Sequence, residues 1–355
     1  MLKDLTLQLL ASAALTEQQV HFAVEQLVDG DLAPELKAGF LAALAQKGET
    51  VQEISAFAVE LRARSLQPLL HPATRAQEIL DVCGTGGDRL NTFNISTTVA
   101  LIAASAGVTV AKHGNRAITS QAGSADVLEA LGIRIDLTPE QIAQSLAEHH
   151  FAFFFAPTYH PAFQHIGPAR KLCADRGQRT IFNFLGPLLN PIQPTAQLIG
   201  VPRPELCEPM ARVLQALGVR RGMVVCGAVP SKGAGAAGML YLDELSTLGE
   251  NTVAEFYQGK GFALSVLNPE FPLQPASLAD LRGGDRETNA EIIRCLLRGT
   301  DLGPKRDAVL LNASAALFVA GKSRTMIDGW ALAAELIDSG QAIRKLEELT
   351  RAFRG

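Results

Sequence analysis

Hydrophobic residues recur every three or four positions through the first 66 residues, which is the spacing of amphipathic helices. Thr16 and Gln19 are spaced as a capping box, Pro34 is placed to begin another helix, and Thr50 to cap a third. Helices this short are stable only when packed against another surface. We therefore expect a small helical domain over residues 1–70, joined by helices near 160–185. Its remaining apolar faces would pack on the rest of the chain or on a second copy of it.

From residue 76 the pattern changes to short apolar runs separated by helical segments. The runs have the length and composition of buried strands and lie at 79–83, 108–111, 151–156, 197–201 and 222–226. Strands that alternate with helices form parallel sheets. The sequence thus predicts an α/β fold in which a large domain of residues 76–355, with a central, mostly parallel sheet, adjoins the small N-terminal helical domain.

A glycine-rich loop follows the first of these strands. It reads Gly84-Thr-Gly-Gly-Asp88 and precedes a segment, Asn94 to Ala106, whose small residues and initial Asn and Ser predict an N-capped helix. Glycines let backbone N–H groups converge at a helix N-terminus, where anions bind. Such a loop is also common as a plain strand-to-helix turn, so it does not identify a site by itself.

The second strand supplies cationic and polar side chains. The run at 108–111 is followed directly by Lys112, His113, Asn115 and Arg116. In open α/β sheets ligands bind beyond the carboxyl ends of the strands. A strand end with glycines and hydroxyls beside a strand end with cations predicts a site for a polyanion.

Other charged residues admit two interpretations. Arginines such as Arg170, Arg176 and Arg179 usually cap or solvate helices, but each could bind an anion. Asp243 and Glu244 follow an apolar run, where they are either solvated or ligands for Mg²⁺, which needs only one or two protein carboxylates.

Two further segments have simpler interpretations. The Gly- and Ala-rich residues 227–238 predict a loop. From residue 283 the pattern indicates a helical scaffold, in which Asn289 and Asn312 are placed to hydrogen-bond across the helix–sheet join.

Composition excludes several classes of protein. With 47% hydrophobic and 19% charged residues, the 355-residue chain is globular rather than disordered. A net charge of −4 gives no general attraction to nucleic acid or to an anionic membrane, and no run reaches the ~20 apolar residues of a membrane span. The leucine-rich start is interrupted by polar residues and is expected to be the first helix. Five scattered cysteines without a Cys-x-x-Cys motif indicate a reducing cytoplasm and no structural zinc.

The chain resembles the anthranilate phosphoribosyltransferases along nearly its whole length. The resemblance is carried, in order, by Gly-Thr-Gly-Gly-Asp (84–88), Asn-Ile-Ser-Thr (94–97), Lys-His-Gly-Asn-Arg (112–116), Gly-Ser-Ala-Asp-Val-Leu-Glu-Ala-Leu-Gly (123–132), His160-Pro161, Arg179-Thr-Ile-Phe-Asn183, Leu185-Gly-Pro-Leu-Leu-Asn-Pro191, Asp243-Glu-Leu-Ser246 and Leu311-Asn-Ala313. It implies a nucleoside-phosphorylase-like fold, a homodimer formed through the helical part, and transfer of a phosphoribosyl group from phosphoribosyl pyrophosphate to anthranilate with Mg²⁺.

The resemblance also implies residue roles. Metal ligands would be Ser96, Asp243 and Glu244, and Gly84, Asn115 and Arg170 would meet anthranilate. The phosphoribosyl donor would be held by Gly84, Gly87, Asp88, Thr92, Asn94, Ile95, Ser96, Thr97, Lys112, His113, Gly114, Asn115, Arg116, Ala117, Ile118, Thr119, Ser120 and Ser124. No residue is predicted to act as a nucleophile, and His113 either holds its loop or contacts substrate.

This chemistry needs few reactive groups. Breaking the anomeric C–O bond releases a multiply charged pyrophosphate, which Mg²⁺ and backbone N–H donors stabilise. The aromatic amine is already neutral, so positioning it supplies much of the rate. Arg170 is suited to grip the carboxylate of anthranilate with a bidentate fork.

Two alternatives and one departure stay open at this point. A pyrimidine nucleoside phosphorylase would share the fold and a Lys-His-Gly element, and a non-catalytic relative could bind nucleic acid in the same cleft. The departure is the long Gly/Ala-rich connection at 227–239, which lengthens the approach to Asp243 and Glu244 and affects the expected geometry of a second metal site.

Overall fold

The computed structural model describes residues 1–117, 121–230, 238–257, 260–267 and 271–353. The α-helices are α1 (Leu2–Leu10), α2 (Glu17–Val28), α3 (Pro34–Lys47), α4 (Val51–Ala63), α5 (Pro72–Arg75), α6 (Ile95–Ser105), α7 (Ser124–Ala130), α8 (Pro139–His149), α9 (Ala156–Tyr159), α10 (Gly167–Asp175), α11 (Phe182–Leu185), α12 (Cys207–Ala216), α13 (Arg286–Leu297), α14 (Pro304–Val319), α15 (Met326–Asp338) and α16 (Gln341–Arg351).

One sheet contains the strands of the described residues, β1 (Ile79–Gly84), β2 (Thr109–Gly114), β3 (Phe151–Phe155), β4 (Ala196–Gly200), β5 (Arg221–Pro230), β6 (Met239–Leu242), β7 (Asn251–Tyr257) and β8 (Lys260–Leu267). Its order is β3-β2-β1-β4-β5-β7-β8, with β6 paired to β5. The first five strands in this order are parallel, and β6, β7 and β8 pair antiparallel. The predicted mostly parallel sheet is therefore confirmed.

The N-terminal helices form as the capping signals predict. Thr16 and Thr50 each accept a hydrogen bond from the N3 backbone N–H and complete a capping box, while Pro34 begins α3 and Gly48 follows its end. The buried faces of these helices share a core with α10, α12 and residues 181–189. Apolar packing, rather than intrinsic propensity, thus stabilises the helical part.

Alternate residues of the strands pack on opposite faces of the sheet, as the two-residue period of a strand requires. In β5, Met223 and Val225 lie in the core formed with α6 and α13 to α16, whereas Val224 and Cys226 lie in the core formed with α12 and the N-terminal helices. Helices therefore cover both faces, and the carboxyl ends of β2, β1 and β4 meet at one edge.

Several sequence expectations require correction. The expected loop at 227–238 is wrong at its start, because residues 227–230 continue β5 and pair with β6; residues 231–237 lie outside the described part of the chain. Residues 67–75, between α4 and β1, include the short helix α5. The antiparallel pair β7–β8 has no counterpart among the predicted strands. Among the described residues no helix is both long enough and apolar enough to cross a membrane.

Candidate active site

Three neighbouring parallel strands end in glycine at one edge of the sheet. They are β2, β1 and β4, which end at Gly114, Gly84 and Gly200. The loop after β1 continues with Gly86 and Gly87, whose φ angles of +75° and +90° lie in the left-handed region that favours glycine. A Cβ added to either residue would meet no atom within 4 Å, so this side of the loop is open to a ligand.

Two carboxylates lie against this loop. Asp243 Oδ2 accepts a hydrogen bond from the N–H of Gly86 at 2.6 Å, and Glu244 Oε1 accepts one from the N–H of Ser96 at 3.1 Å. The approach depends on missing side chains. A Cβ on Gly84 would lie 2.2 Å from Asp243 Oδ2, and one on Gly200 would lie 1.5 Å from the backbone oxygen of Asp243. The glycine strand ends thus admit the Asp243–Glu244 segment.

The two carboxylates are crowded by negative charge. Burial, followed by the charges of Asp88 and Glu244, raises the pKa of Asp243 well above its ordinary value. Burial also raises the pKa of Glu244 to about 7, against the opposing charge of Lys112. Crowded hard oxygen donors of this kind fit a divalent cation such as Mg²⁺. No group of three or more His, Cys, Asp or Glu in the described residues is arranged to hold a metal, so such a cation would need ligands beyond these side chains.

Lys112 lies within β2 and not beyond its end. Its side chain is 1% exposed, and Nζ donates to the Val82 backbone oxygen at 2.6 Å and to Ser96 Oγ at 3.3 Å. The sequence prediction, in which a strand ends at Ala111 and delivers this lysine, is wrong on that point. The ammonium nonetheless remains beside the glycine loop and next to Ser96, where its positive charge counters the carboxylates.

His113 is also buried and holds a turn. Its ring lies 3.2 Å (Nδ1) from the Gly186 backbone oxygen and 3.2 Å (Nε2) from Nε2 of His160. If Nδ1 donates to the Gly186 carbonyl, Nε2 of His113 must accept a hydrogen bond from Nε2–H of His160, because a neutral imidazole has one donor and one acceptor. These contacts favour the loop-holding interpretation of His113.

Three consecutive carbonyls of the turn 186–188 accept hydrogen bonds from buried side chains. The Gly186 oxygen faces His113, the Pro187 oxygen accepts from Gln197 Nε2, and the Leu188 oxygen accepts from Arg62 Nε. The turn therefore connects β2, β4 and α4. Nearby, Asn190 donates to the buried carboxylate of Asp81, which also accepts from the backbone N–H of His113.

The buried histidine pair predicts an acid-sensitive fold. Burial and then His160 lower the pKa of His113 to about 3, and burial lowers the pKa of His160 to about 4, with Arg62 acting in the same direction on both and Lys112 on His113. Below pH ~6.5 these two histidines are protonated in the unfolded chain but stay neutral in the folded protein. The free energy of unfolding therefore falls by up to ~1.4 kcal/mol per pH unit for each histidine as the pH is lowered. Asp81, whose pKa burial raises to about 6, contributes the opposite slope.

We expect the urea midpoint of His160→Gln to fall less steeply than that of the wild type between pH 6.5 and 5. The measurement is urea unfolding at several pH values, with the exposed His165→Gln as the matched control. If the urea midpoint falls equally steeply with pH in His160→Gln and in the wild type, His113 and His160 are not buried in the neutral form.

The loop after β2 is held by carboxylates. Arg116 forms a bidentate pair with Glu129 at 2.6 and 2.9 Å and a further bond to Asp126 at 2.9 Å, and these partners raise the pKa of its guanidinium. Arg116 therefore reaches α7 rather than standing free for a phosphate. Ser124 Oγ lies where a Cβ on Gly114 would be, at 2.3 Å, so β2 must end in glycine.

The remaining predicted donor ligands divide into four groups. Asp88, Thr92, Asn115 and Ala117 lie on the two loops at this edge. The side chains of Ile95 and Thr97 are fully buried, so only their backbone faces the loop. Asn94 stands at the N-cap of α6, but its side chain makes no capping bond, contrary to the expected cap. The predicted ligands Ile118, Thr119 and Ser120 lie outside the described residues.

Arg170 is half-buried on α10 and its guanidinium lies 5.3 Å from the centre of the Phe182 ring. Burial lowers the pKa of this group. No carboxylate in the described residues forms an ion pair with it, whereas Arg176 and Arg179 are solvent-exposed. Arg170 is thus the member of this arginine group with a desolvated, unneutralised charge, which suits binding of an anion.

Sequence reasoning missed several residues that shape this edge. Gly200 belongs to no recognised motif, and its importance depends on Asp243 approaching from far along the chain. The segment 281–284 contacts Asn91 and Phe93 before α6, and Asn289, which lies in the predicted scaffold from residue 283, hydrogen-bonds Asn94. The sequence places Asn289 to hydrogen-bond at the helix–sheet join, but it does not identify Asn94 as the partner, and it carries no signal for the contacts of segment 281–284.

Comparison with known proteins finds relatives along nearly the whole chain. The family model of the glycosyl transferase family a/b domain matches residues 76–343, and that of its helical bundle domain matches residues 3–65. The chain is 44% identical to the anthranilate phosphoribosyltransferase of Geobacter sulfurreducens, covering 98% of each chain, and 46% identical to that of Geobacter sp. (strain M21), covering 94% of each.

Solved structures give the same result. The crystal structure of anthranilate phosphoribosyltransferase (TrpD) from Thermus thermophilus is similar with a TM-score of 0.86 and 41% identity, covering 99% of this chain and 100% of that one. The enzyme from Saccharomyces cerevisiae in complex with PRPP and Mg has a TM-score of 0.83 and 27% identity, covering 99% and 97%.

Proposed function

This chain belongs to the anthranilate phosphoribosyltransferase family, and we propose on that premise how its residues carry out the reaction. It transfers the phosphoribosyl group of phosphoribosyl pyrophosphate to the amine of anthranilate, which gives N-(5-phosphoribosyl)anthranilate and pyrophosphate, the second step of tryptophan biosynthesis from chorismate. The observation that carries the residue assignments is the meeting of the glycine loop, the end of β2 and the Asp243–Glu244 segment at one edge of the sheet.

The donor binds across the two loops. The backbone of Gly87 and the N-terminus of α6 attract its phosphates, because a helix N-terminus and a glycine loop both attract anions, whereas the N–H of Gly86 is engaged by Asp243. Lys112 adds a positive charge close to Ser96. The backbone of 94–97 and the segment 112–117, which runs from the end of β2 into the following loop, complete the donor site, although Ile95 and Thr97 contribute no side-chain contact.

Asp243, Glu244 and Ser96 would hold Mg²⁺ together with the phosphates of the donor. The raised pKa values of the two carboxylates indicate a site that favours a cation, and the yeast relative was solved with PRPP and Mg. When bound, the ion neutralises the charge that develops on the leaving pyrophosphate. The protein's own part is to hold these oxygens in place through the N–H groups of Gly86 and Ser96.

The acceptor is positioned rather than activated. Arg170 offers its desolvated guanidinium to the carboxylate of anthranilate, with Gly84 and Asn115 completing the site. The amine of anthranilate is neutral at physiological pH, so holding it against the anomeric carbon converts a bimolecular step into a unimolecular one. His113 and Cys83 are both buried, and His113 is engaged with the 186–188 turn, so neither serves as a nucleophile.

The other proposals concern assembly and location. We infer a homodimer through the N-terminal helices, because Leu7 and Leu10 of α1 are 65% and 55% exposed. The free thiols, four of which are buried, support a cytoplasmic location. The matching relatives named above are transferases, which supports neither the phosphorylase nor the nucleic-acid-binding alternative.

A fluorescence assay of anthranilate consumption tests the function. We expect the anthranilate signal to fall only when phosphoribosyl pyrophosphate is present, and the rate to drop at least about 100-fold when EDTA removes divalent ions, since charge stabilisation by a metal is worth several kcal/mol. Addition of Mg²⁺ restores the rate. Phosphate-dependent cleavage of uridine, with no consumption of anthranilate, would instead identify a phosphorylase.

A further inference from the structure

Two asparagine side chains connect three segments around the donor site. We propose that Asn289 on α13 is a positioning residue which acts through Asn94 to hold the start of α6 and Ala122, which lies just before α7, in fixed relation. The proposal rests on the proposed function, because the proposed function assigns the segments that follow β1 and β2 to the binding of the donor. Asn289, which the sequence pattern assigns to the helical scaffold, would then support the donor site.

The connection is a chain of hydrogen bonds. The N–H of Gly284 donates to Asn289 Oδ1 at 2.8 Å, Asn289 Nδ2 donates to Asn94 Oδ1 at 2.9 Å, and Asn94 Nδ2 donates to the backbone oxygen of Ala122 at 3.2 Å. Asn289 is 2% exposed. We call these bonds the amide relay. It joins α13, the start of α6 and the end of the loop that follows β2.

Both amide orientations in the relay are determined by the backbone groups at its ends. The N–H of Gly284 can only donate, so Oδ1 of Asn289 must face it and Nδ2 must face Asn94. The carbonyl of Ala122 can only accept, so Nδ2 of Asn94 must face it. Neither side chain can flip without setting two like groups against each other. The relay is therefore specific for asparagine at both positions.

The segment around Gly283 secures residues 91–93, which lie between β1 and α6, through its backbone. The N–H of Phe93 donates to the Leu281 oxygen at 3.1 Å, and the N–H of Gly283 donates to the Asn91 oxygen at 2.9 Å. Thr92 pairs with Arg282 as an antiparallel bridge. A Cβ on Gly283 would lie 2.5 Å from Asn289 Oδ1. Segment 281–284 and Asn289 thus hold residues 91–94 as one unit.

Asn94 consequently acts through its neighbours. Its Oδ1 and Nδ2 are both engaged by protein groups, although the family resemblance places the residue among the donor ligands. Because the same side chain contacts α13 and the loop after β2, the two donor-binding loops are positioned together. Loss of the relay should weaken binding of the whole donor and leave the anthranilate contacts of Arg170 in place.

Asn289→Asp tests the relay at a single atom. The substitution keeps Oδ1 for Gly284 but replaces the donor to Asn94 with an oxygen, so two acceptors face each other. We expect the dissociation constant for phosphoribosyl pyrophosphate with Mg²⁺, measured by calorimetry, to rise about tenfold, which corresponds to loss of one buried hydrogen bond. The KM for anthranilate should stay within about twofold.

A double-mutant cycle separates the relay from added negative charge. In an Asn94→Ala background Asn289→Asp should weaken donor binding no further, because the relay is already broken. If the two substitutions instead multiply each other's effect on the dissociation constant, the new carboxylate simply repels the phosphates of the donor. That result would overturn the proposal. So would an unchanged donor affinity in Asn289→Asp.

Asp285→Ala is the matched control for helix stability. Asp285 caps the same helix by accepting from the N–H of Thr288, and it has no part in the relay. The control should lower Tm and keep donor affinity; if it weakens donor binding as much as Asn289→Asp, helix stability and not the relay is responsible. A wild type that binds the donor without transferring it to anthranilate would contradict the proposed function and leave the relay measurable by the same calorimetry.

Discussion

Replacing Gly200 by alanine should reduce kcat/KM at least about 100-fold, a loss of roughly 2.7 kcal/mol of transition-state stabilisation. The new Cβ would lie 1.5 Å from the backbone oxygen of Asp243, and this backbone cannot yield as the end of a flexible side chain could. The Asp243–Glu244 segment must therefore move away from the glycine loop, which breaks its bonds to Gly86 and Ser96. The measurement is steady-state kinetics at several Mg²⁺ concentrations, where the apparent affinity for Mg²⁺ should also fall.

Gly39→Ala is the control for this substitution. Gly39 lies within α3, where an added Cβ meets no atom within 4 Å, and alanine has the higher helix propensity. Its kinetics should match those of the wild type. A Gly200→Ala enzyme with normal activity and normal Mg²⁺ dependence would show that the close approach of Asp243 is not needed for catalysis.

Arg170→Ala should raise the KM for anthranilate about 100-fold while the KM for the donor changes less than about threefold, because the variant leaves the carboxylate without its charged partner. Arg170→Lys should restore little, since an ammonium cannot form the bidentate fork and would lose the contact with the Phe182 ring. Initial rates with each substrate varied in turn give both constants.

Arg176→Ala is the matched control. Arg176 is exposed and directly follows α10, so its replacement should leave the KM values for anthranilate and for the donor unchanged. Equal increases in the two KM values of Arg170→Ala would remove the assignment of Arg170 to anthranilate.

The parts of the fold that follow local rules can be predicted from the sequence. Thr16, Pro34 and Thr50 mark helix starts by capping chemistry that depends on residues three positions apart. The glycine loop and the strand before it are also recognisable, because glycine spacing between an apolar run and a small-residue helix has a direct backbone meaning.

Features that depend on distant residues cannot be predicted in this way. Gly200 is required by Asp243, and Asn289 donates to Asn94, so each requirement appears only after the chain is folded. The sequence pattern places Lys112 beyond the end of its strand, whereas the strand continues and buries this side chain against Val82. The hairpin β7–β8 is not predicted because its outer strand β8 is mostly exposed. An exposed strand does not need the continuous apolar run that identifies the buried parallel strands.

A crystal structure with phosphoribosyl pyrophosphate and Mg²⁺ tests the central claim most directly. The account predicts the diphosphate against the backbone of residues 84–88 and the start of α6, with the metal ion between the diphosphate and Asp243 and Glu244. A donor molecule bound away from the carboxyl ends of β1 and β2, or a metal ion that contacts neither carboxylate, would contradict it.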